Sequence, residues 1–555
     1  MKKYSYLTIL LIIVVSLQAC RKDFLDRYPL DQISEQTFFK NENDLKLYAN
    51  NFYSTLLVQT FNTDNNSDNF VPRDKDSFLN GNYVVPNTDA NWNWTTVRQL
   101  NYFLARYQKA EVSASVKNIY AAEIRFFRAY AYWRRVVRFG DVPWLSKDLT
   151  ETSPELYNPR TPRKIVMDSV LNDLNFAVAY LPNPANAEQD RLNKDIANAL
   201  KSRICLWEGT YRKYHNLGDE APYLRAAADA ALAVMNSASA YAIYSTNNPA
   251  SDYYNLFLQE ELRGNKEAIM ARRYLKDVTM HNTTRQISDI PPSFSKNFVR
   301  SFLCKDGKPT ALSPLYVNDD TPDNESTNRD PRYTQLIMSR GFVVTRNADG
   351  TTDAMTLPRI PGTVTGYSSV KYRSADPLQF NANQSTLDLF IFRYAETLLI
   401  YAEAKAELGE ADQTVIDNTI NKIRARVGMA NMVVSTLVKD PNSDFPSLPV
   451  LLDEIRRERR IELAQEGFRF DDLLRWKAGT QINKAETILG MKLTPALKAQ
   501  YPASQVSGIV VDANNYIRVY TDITARSWND KMYLYPLPIQ ETTLNPKLLP
   551  QNPGW

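Results

Sequence analysis

Residues 119–143, IYAAEIRFFRAYAYWRRVVRFGDVP, decide the fold. Apolar side chains recur in this stretch at intervals of three or four, which places them on one face of a helix. They are Ile119, Ala122, Phe126, Ala129, Trp133 and Val136. Gly140 and Pro143 then form a typical helix stop. Burial of Phe126 and Trp133 would contribute about 1.5–3 kcal/mol each, so the stretch predicts a long helix that packs against neighbours.

The same period predicts further helices on both sides of this stretch. They are expected at residues 41–56, 95–107, 161–180, 195–211 and 223–235, with Asn41 and Thr95 or Thr96 as caps. Residues 391–427, interrupted at Gly409, predict an antiparallel helical hairpin of about tetratricopeptide (TPR) length. The fold class predicted is mostly α, with TPR-like helical pairs, and an irregular helical domain is the alternative.

Periodicity fades between residues 241 and 388, where Asn, Asp, Pro, Gly and Thr are frequent. This segment is far longer than an ordinary connection, and long loops are commonly functional or disordered. Its many aromatic side chains argue against disorder. We therefore expect an ordered, loop-rich, irregular half that carries the ligand-binding surface.

The composition excludes several classes of enzyme. The chain has 555 residues, of which 44% are hydrophobic and 23% charged, and only two are histidines, His215 and His281. This scarcity of histidine disfavours His-based triads and most metal sites. The motifs HExxH, GxGxxG, GxxxxGK[ST] and GxSxG are all absent from the sequence. No cofactor is predicted, and only carboxylate-driven catalysis stays open.

The N-terminus resembles an export signal. Lys2 and Lys3 precede an apolar run at residues 7–17 that is too short to span a bilayer, and Cys20 follows in the form of a bacterial lipobox. We expect lipidation of Cys20, with an ordinary signal peptide as the alternative. Removal of residues 1–19 takes away Lys2 and Lys3 and lowers the formal charge from +4 to +2. This charge implies no nucleic-acid partner.

Several motifs follow one another in a recognisable order. Residues 24–26 read FLD, residues 38–39 read FF, and LxxYANxxY starts at Leu45. Further motifs are EIRFFRAYAYWRRVVRFGDVP at 123–143, PSFSKNFVRSFLCKDGKP at 292–309, RDPR at 329–332, RYAETLLIYAEAKAELG at 393–409, NKIRARVGM at 421–429, IRRERRIELAQEGFRFDDLLRW at 455–476 and YLYPLPIQETTLNPKLLPQNPGW at 533–555. Together they resemble the SusD/RagB family of Bacteroidetes outer-membrane lipoproteins along nearly the whole chain.

The resemblance implies an α-helical, TPR-like protein that is lipid-anchored on the outer membrane and faces outward from the cell. Members capture oligosaccharides, sit over a SusC-like TonB-dependent transporter and pass glycan into it without bond chemistry; some handle peptides. The implied organisation is a signal peptide at 1–19, a lipidated tether at 20–40, an N-terminal helical part at 41–240 and a C-terminal part at 241–555. Within the last part, 241–388 is the loop-rich layer and 389–480 the helical hairpin.

The best candidate for a sugar platform is the NWNW stretch, which holds Trp92 and Trp94. A flat indole can stack on a sugar ring, and a spacing of two would put both rings on one side of an extended segment. Burial of either ring as a packing residue is the alternative. Asn101 resembles the family's helix asparagine, for which a structural role is also open.

Asp68 and Arg73 form a second candidate, because a carboxylate accepts and a guanidinium donates hydrogen bonds to sugar hydroxyls. A solvated loop is the alternative. Asp64, Asn66 and Asp68 occupy positions 1, 3 and 5 of a possible calcium loop. The EF-hand pattern then fails, because the turn glycine and the final glutamate are missing, and no metal is predicted.

Phe294 and Tyr316, with Asp319 and Asp320 nearby, could complete a sugar platform in the loop-rich layer, with core packing as the alternative. Glu458, Glu462 and Glu466 recur every four residues on one predicted helix, unlike the facing carboxylates of a glycosidase. We expect them in a structural ion network. Beside glycan capture, a helical glycoside hydrolase and a TPR-type scaffold or peptide-binding lid remain alternative functions.

Overall fold

Helices pack in sequential pairs through the first half of the chain. The computed structural model describes residues 38–56, 64–347, 349–522 and 525–555. Cys20, the signal peptide and nearly all of the tether lie outside these residues. The first six helices are α1 (Glu42–Leu56), α2 (Thr95–Arg106), α3 (Ala114–Phe139), α4 (Arg163–Tyr180), α5 (Lys194–Tyr214) and α6 (Glu220–Met235). All six expected helices are confirmed, with ends that shift by a few residues.

Helix α3 is held at both ends by local hydrogen bonds. The Ser113 side chain accepts a hydrogen bond from the Val116 N–H, which satisfies a free donor of the first turn. At the other end, Gly140 adopts φ +72°, and its N–H donates to the carbonyl of Val136 at 2.9 Å. A residue with a side chain rarely adopts this conformation, so Gly140 ends the helix as the sequence predicts.

The second set of helices returns to the first. It comprises α13 (Tyr394–Glu407), α14 (Gln413–Asn418), α15 (Ile420–Arg426), α16 (Val450–Glu462) and α17 (Arg469–Arg475). Helix α13 packs against α6, α5 and α16. The expected hairpin at 391–427 differs in two details. Ile391 lies in a strand rather than a helix, and the second helix breaks at Thr419, whose φ of −129° and ψ of −87° are not helical.

The loop-rich part is built from short elements. Its helices are α7 (Asp252–Leu256), α8 (Thr283–Asp289), α9 (Lys296–Arg300), α10 (Pro322–Ser326), α11 (Arg332–Leu336) and α12 (Pro377–Phe380). Its strands are β1 (Ala268–Arg272), β2 (Val343–Arg346) and β3 (Thr352–Ala354). Strand β1 pairs antiparallel with β4 (Leu389–Arg393), while β2 pairs with β3. The β1–β4 pair thus ties the loop-rich part to the start of α13.

Two further strands and three short helices complete the described chain. They are β5 (Leu489–Lys492), β6 (Tyr516–Arg518), α18 (Pro495–Lys498), α19 (Ala503–Val506) and α20 (Ile539–Leu544), with β5 antiparallel to β6. The helical pairs and the loop-rich part each bury a large apolar cluster of their own. This second core accounts for the order of the irregular half, since buried apolar area offsets the entropy of fixing its loops.

Among the helices of the described residues, none combines the length and the apolar character needed to cross a membrane. Cys205 and Cys304 are both free and buried. Burial raises the pKa of the Cys205 thiol to about 12, so this thiol stays protonated at neutral pH.

Candidate functional site

The NWNW stretch is folded into a tight turn rather than an extended segment. Residues Ala90–Trp92 form a 3-10 helix, and the Asp89 carboxylate accepts hydrogen bonds from the Asn91 backbone N–H at 2.9 Å and the Asn91 side-chain amide at 2.8 Å. Arg138 of α3 donates to the same carboxylate at 2.7 and 3.0 Å. Asp89 therefore fixes the turn to α3.

This turn directs Trp92 into the core. Its side chain is only 4% exposed, and its ring meets Phe139 edge-to-face at 4.9 Å. The expectation that Trp92 stacks on a sugar is corrected, because helical turning replaces the period of two on which it relied. Trp94 is half-buried and meets Trp92 edge-to-face at 5.6 Å.

Arg135 holds the second half of the stretch. Its guanidinium lies 5.0 Å from the centre of the Trp94 ring and donates hydrogen bonds to the carbonyls of Ala131 and Asn93. Burial lowers the pKa of Arg135 to about 10, which leaves it charged at neutral pH. Trp94 and the backbone around it are thus fixed to α3 and remain at the surface.

Two cavities meet beside this stretch. The first, of about 640 Å³, is called here the amide groove, and its lining includes Asn66, Asn91, Asn93, Tyr130 and Tyr535. The second, of about 400 Å³, is called the arginine pocket. Both cavities share a wall formed by Asn66, Tyr130, Arg134, Phe470 and Asp471. An extended ligand could therefore run from one cavity into the other.

The amide groove offers both hydrogen-bond donors and hydrogen-bond acceptors. Asn91 donates to Asp89, and the Asn93 side-chain oxygen accepts from the Thr95 N–H at 2.8 Å. Within the described residues, this leaves the Asn91 side-chain oxygen and the Asn93 side-chain NH₂ without partners, and the Asn66 side chain makes no hydrogen bond. Amides that can donate and accept match sugar hydroxyls, which do both.

Aromatic rings and an ion pair complete the groove. Tyr130 and Tyr535 are half-buried and line it, and burial raises the pKa of Tyr535 to about 12. Arg134 pairs with Asp471 at 2.8 Å, and that carboxylate raises the pKa of Arg134. Tyr130, Arg134 and Asp471 are not among the site residues predicted from the sequence. Tyr130 could have been found as an aromatic side chain that lies outside the apolar stripe of α3.

Asp68 and Arg73 do not form a pair. Asp68 is fully buried and accepts two hydrogen bonds from Arg469, at 2.6 and 2.7 Å. Burial favours the neutral acid, but Arg460 and Arg469 outweigh it and lower the pKa of Asp68. Arg73 is exposed and donates to the carbonyl of Pro361 at 3.2 Å. The expected ligand role of Asp68 is therefore corrected, since a surface ligand cannot reach it.

The possible calcium loop also turns inward. Asp64 is buried and accepts hydrogen bonds from the Asn69 side chain at 3.0 Å and the Gln465 N–H at 2.7 Å. Burial raises the pKa of Asp64. Asp64 and Asp68 are thus engaged by the protein itself, while Asn66 between them faces the amide groove.

Asn101 and Phe294 are structural residues here. Asn101 is buried, donates to the carbonyl of Leu145 at 2.7 Å and accepts from Arg128 at 3.0 Å. The Phe294 ring is buried and stacks on Phe70 at 4.4 Å and Phe298 at 4.5 Å. Their expected contacts with ligand are corrected, because neither side chain reaches the surface.

Tyr316 is half-buried, with the Arg329 guanidinium 5.5 Å from its ring centre. The neighbouring carboxylates are engaged: Asp319 accepts from Lys296 at 2.7 Å, and Asp320 pairs with Lys492 at 2.6 Å. Burial raises the pKa of Asp319, but Lys296 outweighs this effect and the pKa falls to about 2. The ligand-binding role of Tyr316 stays a prediction. Tyr316 lies outside the lining of both cavities.

Glu458, Glu462 and Glu466 form the expected ion network. All three are buried, and arginines or lysines meet each of them: Arg332, Arg424, Arg426, Arg393 and Lys371. Burial would raise the pKa of Glu462, but Arg426, Arg393 and Arg332 lower it to about 2. A carboxylate with so low a pKa cannot serve as a general acid at neutral pH.

Comparison with known proteins places the chain in a family. The family model described as "SusD family" matches residues 266–555, just over half of the chain. The chain belongs to the SusD family. A second model, described as "Starch-binding associating with outer membrane", matches residues 23–206. The resemblance seen in the sequence motifs is therefore confirmed.

Individual SusD-like proteins match along the whole chain. SusD-like protein P2 of Formosa agariphila is 23% identical over 100% of both chains. A SusD-like protein structure from Bacteroides fragilis is 26% identical, with a TM-score of 0.72 over 95% of this chain and 100% of that one. A SusD-like carbohydrate binding protein, also from B. fragilis, is 24% identical, with a TM-score of 0.71 over 92% and 100%. The helical architecture is thus that of the family.

Proposed function

We propose that this SusD-family protein captures an oligosaccharide in the amide groove and delivers it to a SusC-like TonB-dependent transporter. The observation that carries the proposal is the groove itself, which is lined both by the unpartnered amide groups of Asn91 and Asn93 and by Tyr130. A sugar has an apolar face for the ring and hydroxyls for the amides. The family model for residues 23–206, described by starch binding and the outer membrane, supports the same ligand class.

Capture by such a site is reversible. A few hydrogen bonds and one or two stacked rings correspond to dissociation constants of about 0.1–1 mM, or about −4 to −5.5 kcal/mol. Weak binding suits handover, because the ligand must leave for the transporter. Repeated units along a polysaccharide would raise the apparent affinity.

The test is native affinity electrophoresis of the chain from residue 21 onward, through plant, host and microbial polysaccharides. We expect retardation by at least one polymer, and its loss in Tyr130→Ala and Asn66→Ala. Tyr157→Ala is the matched control, since Tyr157 is 54% exposed and lies outside the groove. Retardation that survives both groove variants would contradict the site. Retardation by no polymer would favour a peptide ligand or a scaffold role.

The same samples distinguish capture from hydrolysis. We expect no release of reducing sugar. Glu458, Glu462 and Glu466 are buried in the ion network, whereas a glycosidase needs an acid and a base that face each other across the substrate. Release that is proportional to protein concentration would support the glycoside hydrolase alternative instead.

Anchorage is proposed to run through a lipid on Cys20, which would hold the protein on the outer membrane. Metabolic labelling with an alkyne fatty acid should label the wild type and Cys205→Ala but not Cys20→Ala, since Cys205 is buried. Purification of the labelled protein in detergent should recover a SusC-like transporter, identified by mass spectrometry. Labelling of Cys20→Ala would contradict the proposed anchor.

A further inference from the structure

Asn91 presents one end of its side-chain amide to the amide groove. Its NH₂ group donates to Asp89 Oδ1 at 2.8 Å, and its backbone N–H donates to the same oxygen at 2.9 Å. Because a carboxylate only accepts hydrogen bonds, the NH₂ end must face Asp89, and the Asn91 side-chain oxygen is left for a ligand. The residue is exposed and lines the groove. At Asn91 the groove therefore offers an acceptor.

Arg138 of α3 holds the other oxygen of the same carboxylate. Its Nε and Nη2 both donate to Asp89 Oδ2, at 3.0 and 2.7 Å, which leaves Oδ1 to Asn91. The Asp89 side chain is only 7% exposed and that of Arg138 only 23%, so water competes little for this charge-assisted pair. Two N–H groups on one oxygen restrict rotation of the carboxylate. Arg138 thus fixes the direction in which Oδ1 points.

The guanidinium of Arg138 is itself held by an aromatic stack. Its central carbon lies 3.5 Å from the centre of the Tyr535 ring, and the Tyr535 N–H donates to the Arg138 carbonyl at 2.7 Å. The Phe78 ring stacks on Tyr535 at 4.2 Å, with 12° between the planes. Two groups so close to one ring centre must lie on its opposite faces. Tyr535 therefore supports Arg138, and neither of its faces is open to a sugar ring.

We propose that Arg138 is a positioning residue of the amide groove: through Asp89 it commits the Asn91 amide to accept a hydrogen bond from a hydroxyl of the bound glycan. The inference rests on the proposed function and adds to it the direction of one hydrogen bond. Lysine cannot take the place of Arg138, because an ammonium group has neither the fork of N–H groups nor the flat face that meets Tyr535. Arg138 also lines the groove, so direct contact with the glycan is the competing explanation.

Hydrogen–deuterium exchange tests the positioning without any ligand. We expect the Asn91 backbone N–H to exchange about three- to tenfold faster in Arg138→Lys than in the wild type, because its bond to Asp89 is weakened. Arg125→Lys is the matched control. Arg125 also lies on α3, pairs with Asp173 at 3.0 Å and meets an aromatic ring at 4.4 Å, but it lies outside the groove. Unchanged exchange at Asn91 in Arg138→Lys would overturn the inference.

A double-mutant cycle tests the link to binding. The first probe is soluble starch, which the description of the second family model names, and the other polysaccharides of the panel follow. Retardation at several polymer concentrations gives the apparent dissociation constant. We expect Arg138→Lys and Asn91→Ala each to weaken binding about three- to tenfold. The double variant should stay within about twofold of Asn91→Ala, because Arg138 then has no amide left to orient.

The outcomes separate this inference from the proposed function. Effects that multiply in the double variant would show that Arg138 contacts the glycan itself and would overturn the inference. Equal weakening of binding by Arg138→Lys and Arg125→Lys would also overturn it, because that result indicates a general loss of structure. Faster exchange at Asn91 in Arg138→Lys, in a protein that no polymer retards or whose binding survives Tyr130→Ala, would contradict the proposed function while supporting the hold of Arg138 on Asn91.

Discussion

Glu462 lies at the centre of a buried ion network, where three arginines converge on one carboxylate. Arg426 donates to it at 2.6 Å, Arg393 at 2.8 Å and Arg332 at 3.2 Å. Each of these residues is at most 3% exposed. Removing ions from water is costly, so such a cluster is stable only when every charge keeps its partners.

At the residue scale, we predict that Glu462→Gln strongly destabilises the protein. The amide keeps the shape but removes the charge that compensates three arginines, and breaking a buried ion pair costs about 3–5 kcal/mol. Urea unfolding followed by circular dichroism measures the change. Glu410→Gln is the control: Glu410 is exposed and pairs with Lys405 and Arg225 at the surface. Equal effects of the two substitutions would contradict the prediction.

The NWNW stretch shows how far single residues can be predicted. The sequence identifies the right segment, since Asn91 and Asn93 line the groove, but it selects the wrong side chains. Asp89 caps a 3-10 turn there, and the turn reverses which side chains face inward. That reversal depends on Arg138, 49 positions away, and no local pattern contains this information.

At the scale of elements, the packing of α5 on α6 depends on one glycine. A Cβ atom on Gly209 would lie 2.8 Å from the Leu224 Cγ and 3.0 Å from the Leu224 backbone N. Atoms essentially never approach so closely without a shift. Helix α6 carries a stripe of small residues, Ala227, Ala228 and Ala231, which predicts a close approach of helices. Gly209 supplies the matching surface on α5.

We predict that Gly209→Ala destabilises the protein, although alanine is the better helix former. Its gain in helix propensity is about 1 kcal/mol, whereas overpacking a buried helix interface costs about 1–3 kcal/mol. The melting temperature should therefore fall. Gly508→Ala is the control, because a Cβ atom there meets no atom within 4 Å. A raised melting temperature for Gly209→Ala would show that the helices separate at little cost.

Most long helices could be predicted, because their stripes and stops are local. Ser113 and Gly140 bound α3 without help from distant residues. The break at Thr419 and the strand at Ile391 could not be predicted. Ile391 lies in β4, which forms because its neighbours pair with β1, more than 100 positions earlier in the chain. The local apolar period around Ile391 predicts a helix and contains nothing about this distant partner.

At the scale of the whole molecule, the ion network joins the two parts of the fold. Arg332 of the loop-rich part pairs with Glu458 of α16, and Glu267, also of that part, pairs with Arg393 and Arg426. The sequence predicts a network on the helix around Glu458, but not its partners, because these are far away along the chain. The network therefore makes the stability of both parts depend on ionised carboxylates.

The final prediction is that the protein loses stability steeply in acid. Glu462 has a folded pKa of about 2, against about 4.3 in an unfolded chain. Its contribution is complete above about pH 4.3 and is lost as the pH falls towards 2, which amounts to about 3 kcal/mol. The pKa values of Asp68, Asp444 and Glu466 are lowered as well, by arginine or lysine neighbours that outweigh burial.

Burial raises the pKa values of Asp64, Glu123 and Asp388, and these groups oppose the trend. The lowered groups outnumber them, so the free energy of unfolding should fall between pH 5 and pH 3. Urea unfolding at half-unit pH steps measures the slope. Glu462→Gln removes one titrating group and should give a shallower slope than the wild type. Glu410→Gln should change the slope less, because Glu410 is exposed and solvent screens its ion pairs. A slope unchanged by Glu462→Gln would mean that acid acts on other carboxylates than those of the network.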